Sequence, residues 1–372
     1  MEVLVVSSDR AGLELDEFLC LERPLYNKGF FRRLVRAGDV LVDGQPTLPS
    51  QRLREGTVVM VPLEELAEAG ELPRVPTAPE QELDVLFESD RLLIVDKPAG
   101  VASEPERWEP EAASMAGALL AHCLDAAAGG PAAYRPRLLH RLDKDTSGCL
   151  AAAKDLDTER LLRAAFESGA VQKTYLALVE GEWPDTEELT VLDGPIGEEG
   201  ELPRREKKRR GGSGRGHRMA VFEPGHKAAK PARTTVTVRE RFRGFTLVEC
   251  APHTGRTHQL RVHLAHAGFP LAVDPLYGRR DAFPLSEIKR NYRSKPGRPE
   301  RPLIDRLTLH AAALELPDPS SSAAASVTAD TDLTTLPRAR FEAPLPSDFI
   351  RIIKQLAKWR RHQRASRRPQ NP

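Results

Sequence analysis

Cysteine is scarce in this 372-residue chain. The four residues, Cys20, Cys123, Cys149 and Cys250, lie far apart and form no CxxC pair. That spacing argues against a disulfide framework or a zinc knuckle, and leaves free thiols in a reducing compartment. Aromatic residues make up only 5%, while 31 prolines predict many loops and extended segments. Long apolar runs are missing too. The most apolar stretch, residues 112–129, is broken by His122 and Asp125, so no segment is expected to span a bilayer. The opening MEVLVVSSDR has no basic region leading into an apolar run, which argues against a signal peptide. A cytoplasmic protein is the expectation.

Net charge is nearly absent at +1, but its distribution is not even. Residues 1–200 hold 20 Lys+Arg against 38 Asp+Glu, and residues 201–372 hold 35 against 16. Such a split suggests that one half meets a polyanion, or that the halves attract each other.

Residues 1–62 read as a small unit. Leu13, Leu15, Phe18 and Leu19 fit one short helix; Phe30, Phe31, Leu34 and Val35 fit a second, ended by Gly38. The segment DVLVDGQPT reads as strand, turn and strand, with Asp43-Gly44 as the hairpin signal. Lys28, Arg32, Arg33 and Arg36 cluster on the second helix, with Arg32 and Arg36 four apart on one face. They are either a solvated face or a phosphate-contacting one. Residues 63–82 are acidic, hold prolines and read as a linker. From 83 to 350, short strands such as LDVLFE, RLLIVDK and TYLALVEG interleave with helical stretches at 113–126, after Asp155 and from Thr257 to Gly268. That mixture predicts α+β with a mixed, mainly antiparallel sheet. The basic stretch at 201–218 and the low-complexity stretch at 317–335 interrupt it, and residues 351–372 form a basic tail.

The string RLLHRLDKDTSG, residues 137–148, places Asp143 at a loop tip. Gly148 can supply a positive φ, and Thr146 and Ser147 offer hydroxyls to hold a carboxylate. Taken alone, an Asx-type turn is the plainer reading. The rest of the chain changes the balance. The string resembles the HRLDxxTSG motif of the RluA-type pseudouridine synthases. KPAGV at 97–101, KTYLALVEG at 173–181, HTGRTHQLRVHLAHAGFPLAVDPLYG at 253–278, LHAAALEL at 309–316 and FEAPLPSDF at 341–349 resemble further family motifs, in family order. Residues 1–62 look like the small S-four-type RNA-binding domain that many members carry in front.

The resemblance implies a pseudouridine synthase catalytic domain at 83–350, preceded by the small α/β RNA-binding domain (1–62) and the linker (63–82), and followed by the tail (351–372). It implies an isomerase that converts uridine to pseudouridine in RNA without a cofactor. Asp143 is then the acting carboxylate, as nucleophile or proton acceptor. Tyr175 is the aromatic against the base, and Arg261 the cation paired with Asp143, which would favour its ionised form. Arg141 fills the stack vacated by the flipped uridine. Arg256 is a candidate for phosphate binding, Leu260 lines the base pocket, and His140 either borders that pocket or supports the loop. His253, His258, His263 and His266 are spaced unlike any metal motif, so no metal site is expected.

Large-subunit rRNA is the expected partner, with tRNA as runner-up, no membrane, and a monomeric state. A non-catalytic ribosome-assembly factor is the alternative from another class. The basic stretches at 204–218, 285–306 and 351–372 look like additions to the family pattern that could redirect the enzyme to another RNA.

Overall fold

The computed structural model describes residues 1–23, 26, 28–68, 78, 80–105, 112–126, 136–184, 189–201, 218–293, 299–324, 327–328 and 331–359. Most of the basic stretch at 204–218, part of that at 285–306, part of 317–335, the middle of the expected linker and the tail beyond 359 lie outside the described residues.

In chain order the elements are β1 (Glu2–Val5), α1 (Leu15–Glu22), α2 (Lys28–Ala37), β2 (Leu41–Val42), β3 (Gln45–Pro46), β4 (Val58–Val61) and α3 (Leu63–Glu68). There follow β5 (Asp84–Glu88), β6 (Leu92–Lys97), α4 (Met115–Ala126), β7 (Arg137–Leu138), β8 (Ser147–Ala153), α5 (Leu156–Ser168) and β9 (Gln172–Glu180). Next come β10 (Thr190–Asp193), β11 (Ile196–Glu198), β12 (Met219–Val221), β13 (Ala229–Lys230), β14 (Arg233–Phe242) and β15 (Phe245–Pro252). The chain then builds α6 (Gln259–His266), β16 (Leu309–Pro317), β17 (Arg338–Glu342) and α7 (Ser347–Trp359).

These elements form two compact units. The first holds Met1–Leu83, Ala102–Leu138 and Ala152–Leu156; the second holds Asp84–Val101, Leu139–Ala151 and the chain from Asp157 onward. In the first, β1, β4, β2 and β3 form a sheet in that order. Its core joins Leu4 and Val59 to Phe18 and Leu19 of α1 and to Phe30, Phe31, Leu34 and Val35 of α2. The apolar positions of α2 fall three and four apart, so one turn after another lands on the same core. Gly38 ends α2 with φ +86°, and Asp43 and Gly44 turn the hairpin with φ of 47° and 78°. Both central residues at positive φ match the twist of a two-residue hairpin. The acidic stretch at 63 begins as α3, with Leu63 buried and Leu66 packed on the same core. Two leucines three apart give it an apolar side that its many acidic residues obscure. Leu156 is buried in this core as well, which ties part of the later sequence to the N-terminal unit.

The second unit is built on a long sheet in the order β10-β14-β15-β9-β16-β8-β6-β5, with β17 beside β16. Strands β5 to β6, β10 to β14, β14 to β15, β15 to β9, β9 to β16 and β16 to β17 are antiparallel. β16 and β8 run parallel, with His310 opposite Ser147 and Ala311 opposite Gly148. The sheet is therefore mixed and mainly antiparallel, and the fold is α+β. Helix α7 crosses residue 350 and buries Phe349, Ile352 and Leu356 among Phe283, Ile304 and Phe245. These three positions repeat at three and four, which makes the start of the basic tail a core helix. Among the described residues, no helix is long and apolar enough to cross a membrane.

Candidate active site

Asp143 lies on the loop between His140 and β8. Thr146 N donates to Asp143 O at 3.0 Å, which closes a turn just after the carboxylate. Gly148 has φ +117°, and a Cβ there would collide with the Ala311 backbone. Only glycine serves, because β16 runs directly against the loop exit. The hydroxyls of the turn are used differently from the expectation. Ser147 Oγ lies 2.9 Å from His310 Nδ1 and accepts from Arg306 Nη1 at 3.2 Å. Arg306 in turn grips Asp348 through Nε and Nη2 at 2.7 and 2.8 Å. Thr146 Oγ1 is buried without a hydrogen-bond partner among the described residues. So the turn hydroxyls do not hold Asp143; Ser147 is bound into the sheet.

The loop is also held from its other side. Lys97, at the end of β6, is fully buried. Its Nζ donates to the carbonyls of Pro98 and Lys144 at 2.8 and 2.9 Å. Gly100 N donates to the same Lys144 carbonyl at 2.9 Å. Burial pushes the Lys97 ammonium down to about 7, against the pull of Asp145 and Asp143. The KPAG string thus grips the residue next to Asp143.

Arg261 comes from α6. That helix starts at His258, with φ 55°, and stops at Gly268, with φ +89°. Gln259 sets its entry: Oε1 accepts from Thr254 Oγ1 and Arg256 N, and Nε2 donates to Arg233 O. Leu260, Arg261, Val262, His263 and Leu264 are all buried, so the part of the helix that carries Arg261 is enclosed on every side. Arg261 Nη1 donates to Asp143 Oδ2 at 2.9 Å. Its Nε and Nη2 donate to the two oxygens of Asp274 at 2.8 and 2.9 Å. The side chain of Asp274 is fully buried, that of Arg261 is 9% exposed, and that of Asp143 is 28% exposed. Asp274 Oδ1 also accepts from Leu276 N and Tyr277 N. Burial works against the guanidinium charge, but the bonds and charges of Asp274 and Asp143 overcome it, so the Arg261 pKa is raised. The Tyr277 ring lies under the same guanidinium at 5.1 Å.

Tyr175 sits on β9 opposite Cys250 and Ala311 and packs on the cluster that contains Leu260. Burial first, then the charges of Asp143 and Cys149, push its phenol pKa up. The hydroxyl therefore stays protonated at neutral pH. Lys173, two residues earlier on the strand, donates to Thr254 O at 3.3 Å and is pushed down to about 8 by burial and by Arg256. His140 accepts from Ala151 N at 3.2 Å and stacks on Phe166. Burial, then the Lys173 charge, lower it to about 3, so the ring is a neutral brace across the loop. Arg141 is exposed. Arg256 donates to Pro231 O at 3.0 Å.

Asp143, Tyr175, Arg261, Arg141, Arg256, Leu260 and His140 all belong to the second unit, whereas Lys28, Arg32, Arg33 and Arg36 belong to the first. Lys28 and Arg32 both pair with Asp16, at 3.1 and 2.6 Å. Arg33 lies 6.0 Å from the Phe30 ring, and Arg36 is exposed. Sequence reasoning missed Asp274 and Lys97, although both lie inside motif strings. Their signal was a charged residue within an otherwise apolar stretch. The histidines find other work: His253 meets Thr235, His258 meets Tyr277, and His263 meets Thr234 and Gly194.

Residues 91–266 match the family model for RNA pseudouridylate synthase. The ribosomal large subunit pseudouridine synthase D of Nitrosomonas europaea is 33% identical over 357 residues, covering 95% of this chain and 87% of the relative. An RNA pseudouridine synthase of Chloroflexus aurantiacus is 33% identical over 358 residues, covering 95% and 93%. The solved structure of human RNA pseudouridylate synthase domain containing 4 superposes with a TM-score of 0.51 at 22% identity, covering 73% of this chain and 92% of that one, which speaks to the fold. With its motifs in order on this sheet, the chain belongs to the RluA-type family of RNA pseudouridine synthases, isomerases that convert uridine to pseudouridine.

Proposed function

We propose that the enzyme isomerises specific uridines in large-subunit ribosomal RNA, with Asp143 as the acting carboxylate. The observation that carries the reading is the chain Asp274–Arg261–Asp143. One buried carboxylate locks the guanidinium, which holds a second, accessible carboxylate in a fixed place. The substrate assignment is supported by the ribosomal large subunit pseudouridine synthases D of Nitrosomonas europaea and Xanthomonas campestris, to which the chain is 33% and 31% identical.

The uridine is extruded from its stack, and Arg141 occupies the gap, where a planar cation can stack and donate at once. The base enters beside Tyr175 and Leu260. Asp143 then acts at the sugar or the base, as nucleophile or proton acceptor, while the N-glycosidic bond breaks. The uracil turns and carbon 5 rejoins the ribose. Arg261 holds the carboxylate through each stage without moving, so no energy is spent on reorienting it. Tyr175, protonated at rest, packs against the base and presents a hydroxyl instead of a standing phenolate base. His140 holds the loop. Residues 1–62 serve as an S-four-type RNA-binding domain, with Lys28, Arg32, Arg33 and Arg36 towards phosphate. The expected linker begins only after α3, whose leucines pack on the N-terminal core, and the basic residues beyond 350 extend the RNA contact.

Pseudouridine mapping of rRNA and tRNA from cells with and without this protein tests the assignment. A site lost from large-subunit rRNA is expected. A site lost from tRNA instead reassigns the substrate, and unchanged maps would favour a non-catalytic assembly factor.

A further inference from the structure

Of the cationic groups near the Asp143 loop, three differ in what balances them. Arg261 faces two carboxylates. Lys97 is enclosed by protein, with no room for a ligand at its ammonium. The third group is Lys173 with Arg256. Both are partly exposed, and among the described residues neither has a carboxylate within ion-pair distance. Each is held by a single backbone carbonyl, Thr254 O for Lys173 and Pro231 O for Arg256. Among the described residues, most of their N–H donors have no further partner.

The two cations also sense each other: the charge of Arg256 lowers the Lys173 pKa, and the charge of Lys173 lowers that of His140 on the Asp143 loop. Lys173 lies on the same face of β9 as Tyr175, since strand side chains alternate. The Thr254–Arg256 turn is pinned by Gln259 at the head of the helix that carries Arg261. Lys173 is thus bonded to Thr254 O, two residues before Arg256, so the two like charges come from one turn and one strand position near the residues proposed to meet the base. Placing them there costs energy in the empty protein, and an anion between them removes that cost.

We propose that Lys173 and Arg256 together form a subsite for one backbone phosphate of the substrate RNA, adjoining the extruded nucleotide. The proposal rests on the RNA-substrate reading above. The phosphate would sit between an ammonium and a guanidinium, each already aimed by a backbone bond. It fixes the sugar while the base is detached from it, so the ribose cannot drift during the turn of the uracil.

The test uses the full-length protein and a protein-free large-subunit rRNA transcript labelled with tritium at uridine carbon 5. Tritium release measures turnover, and filter binding across a potassium chloride series measures the salt slope. Lys173→Met and Arg256→Met should each raise KM more than they lower kcat and flatten the salt slope by up to about 0.7–0.9. The double variant should flatten it no further than either single, because both residues serve one phosphate. Lys173→Arg should restore the slope. If wild-type protein releases no tritium, the substrate reading fails. If wild type is active but the single variants keep their salt slope, or their losses add, the shared phosphate site is refuted.

Discussion

Each unit of the molecule carries a fully buried aspartate that gathers cations, and the two do opposite things with them. In the second unit Asp274 takes one guanidinium through both oxygens and also accepts two backbone N–H groups. The captured Arg261 is itself buried, and its remaining Nη1 is passed on to Asp143. In the first unit Asp16 pairs with Lys28 and Arg32, one at each oxygen, and both cations stay nearly half exposed. Depth separates the cases. A cation held in the interior transmits position to another group, because no water competes for it. A cation held at the surface remains solvated, and the carboxylate merely fixes where its charge is displayed.

The sharpest way to break this contrast is Asp274→Ala. It strands the Arg261 charge in the interior, which costs about 3–5 kcal/mol. Thermal unfolding should show a large loss of stability, and tritium release should fall with it. Arg261→Lys is milder on the fold and more telling on the chemistry. An ammonium cannot span Asp274 and Asp143 in one plane, so single-turnover rate should fall on the order of 100-fold with RNA affinity retained. Equal rates for Lys and Arg would reduce Arg261 to a generic counter-charge.

On the other side of the comparison, Asp16→Ala should cost only about 1–2 kcal/mol, since Lys28 and Arg32 can turn to water. It should leave the isomerisation rate of bound RNA unchanged. A rate loss comparable to that of Arg261→Lys would erase the distinction between the units.

Asp96 gives the smallest and most pH-dependent effect. Burial first, then Asp84, push its carboxyl up to about 6; the two aspartates are opposite each other in the β5–β6 pair. Between the ordinary carboxyl value and about 6, the folded protein holds a proton that the unfolded chain has released. Stability attributable to this group therefore falls as pH rises through that window, then stays level. Asp96→Asn removes the fall, so it should stabilise by about 1 kcal/mol at pH 7 after allowing for solvent screening. The gain should shrink at pH 4, read as the difference in melting temperature.

What was legible in the sequence follows the range of the interactions. Gly38, Asp43-Gly44 and Gly148 were readable because a turn and a positive φ are local demands. The pattern of α2 was readable because its period is local too. Arg261 and Asp143 are 118 residues apart, and only the motif resemblance joined them. The same distance hid the work of Ser147. A hydroxyl beside an aspartate looks like its support, whereas the partner strand β16 supplies His310, which bonds it, and Arg306 also reaches it. Lys97 stands at the end of a strand and the head of the KPAGV string; its burial depends on the carbonyl of Lys144, 47 residues on. The helical start of the acidic stretch at 63 was masked by composition, because four of its six residues are not apolar enough to announce it beside two leucines.

Asp143 as the acting group is the centre of the proposed mechanism. Asp143→Asn keeps the size of the side chain and an oxygen for the Arg261 bond while removing the negative charge. In a single-turnover assay on large-subunit rRNA, the account predicts a rate loss on the order of 1,000-fold or more, with RNA affinity unchanged. An Asp143→Asn protein that isomerises uridine at the wild-type rate would contradict it.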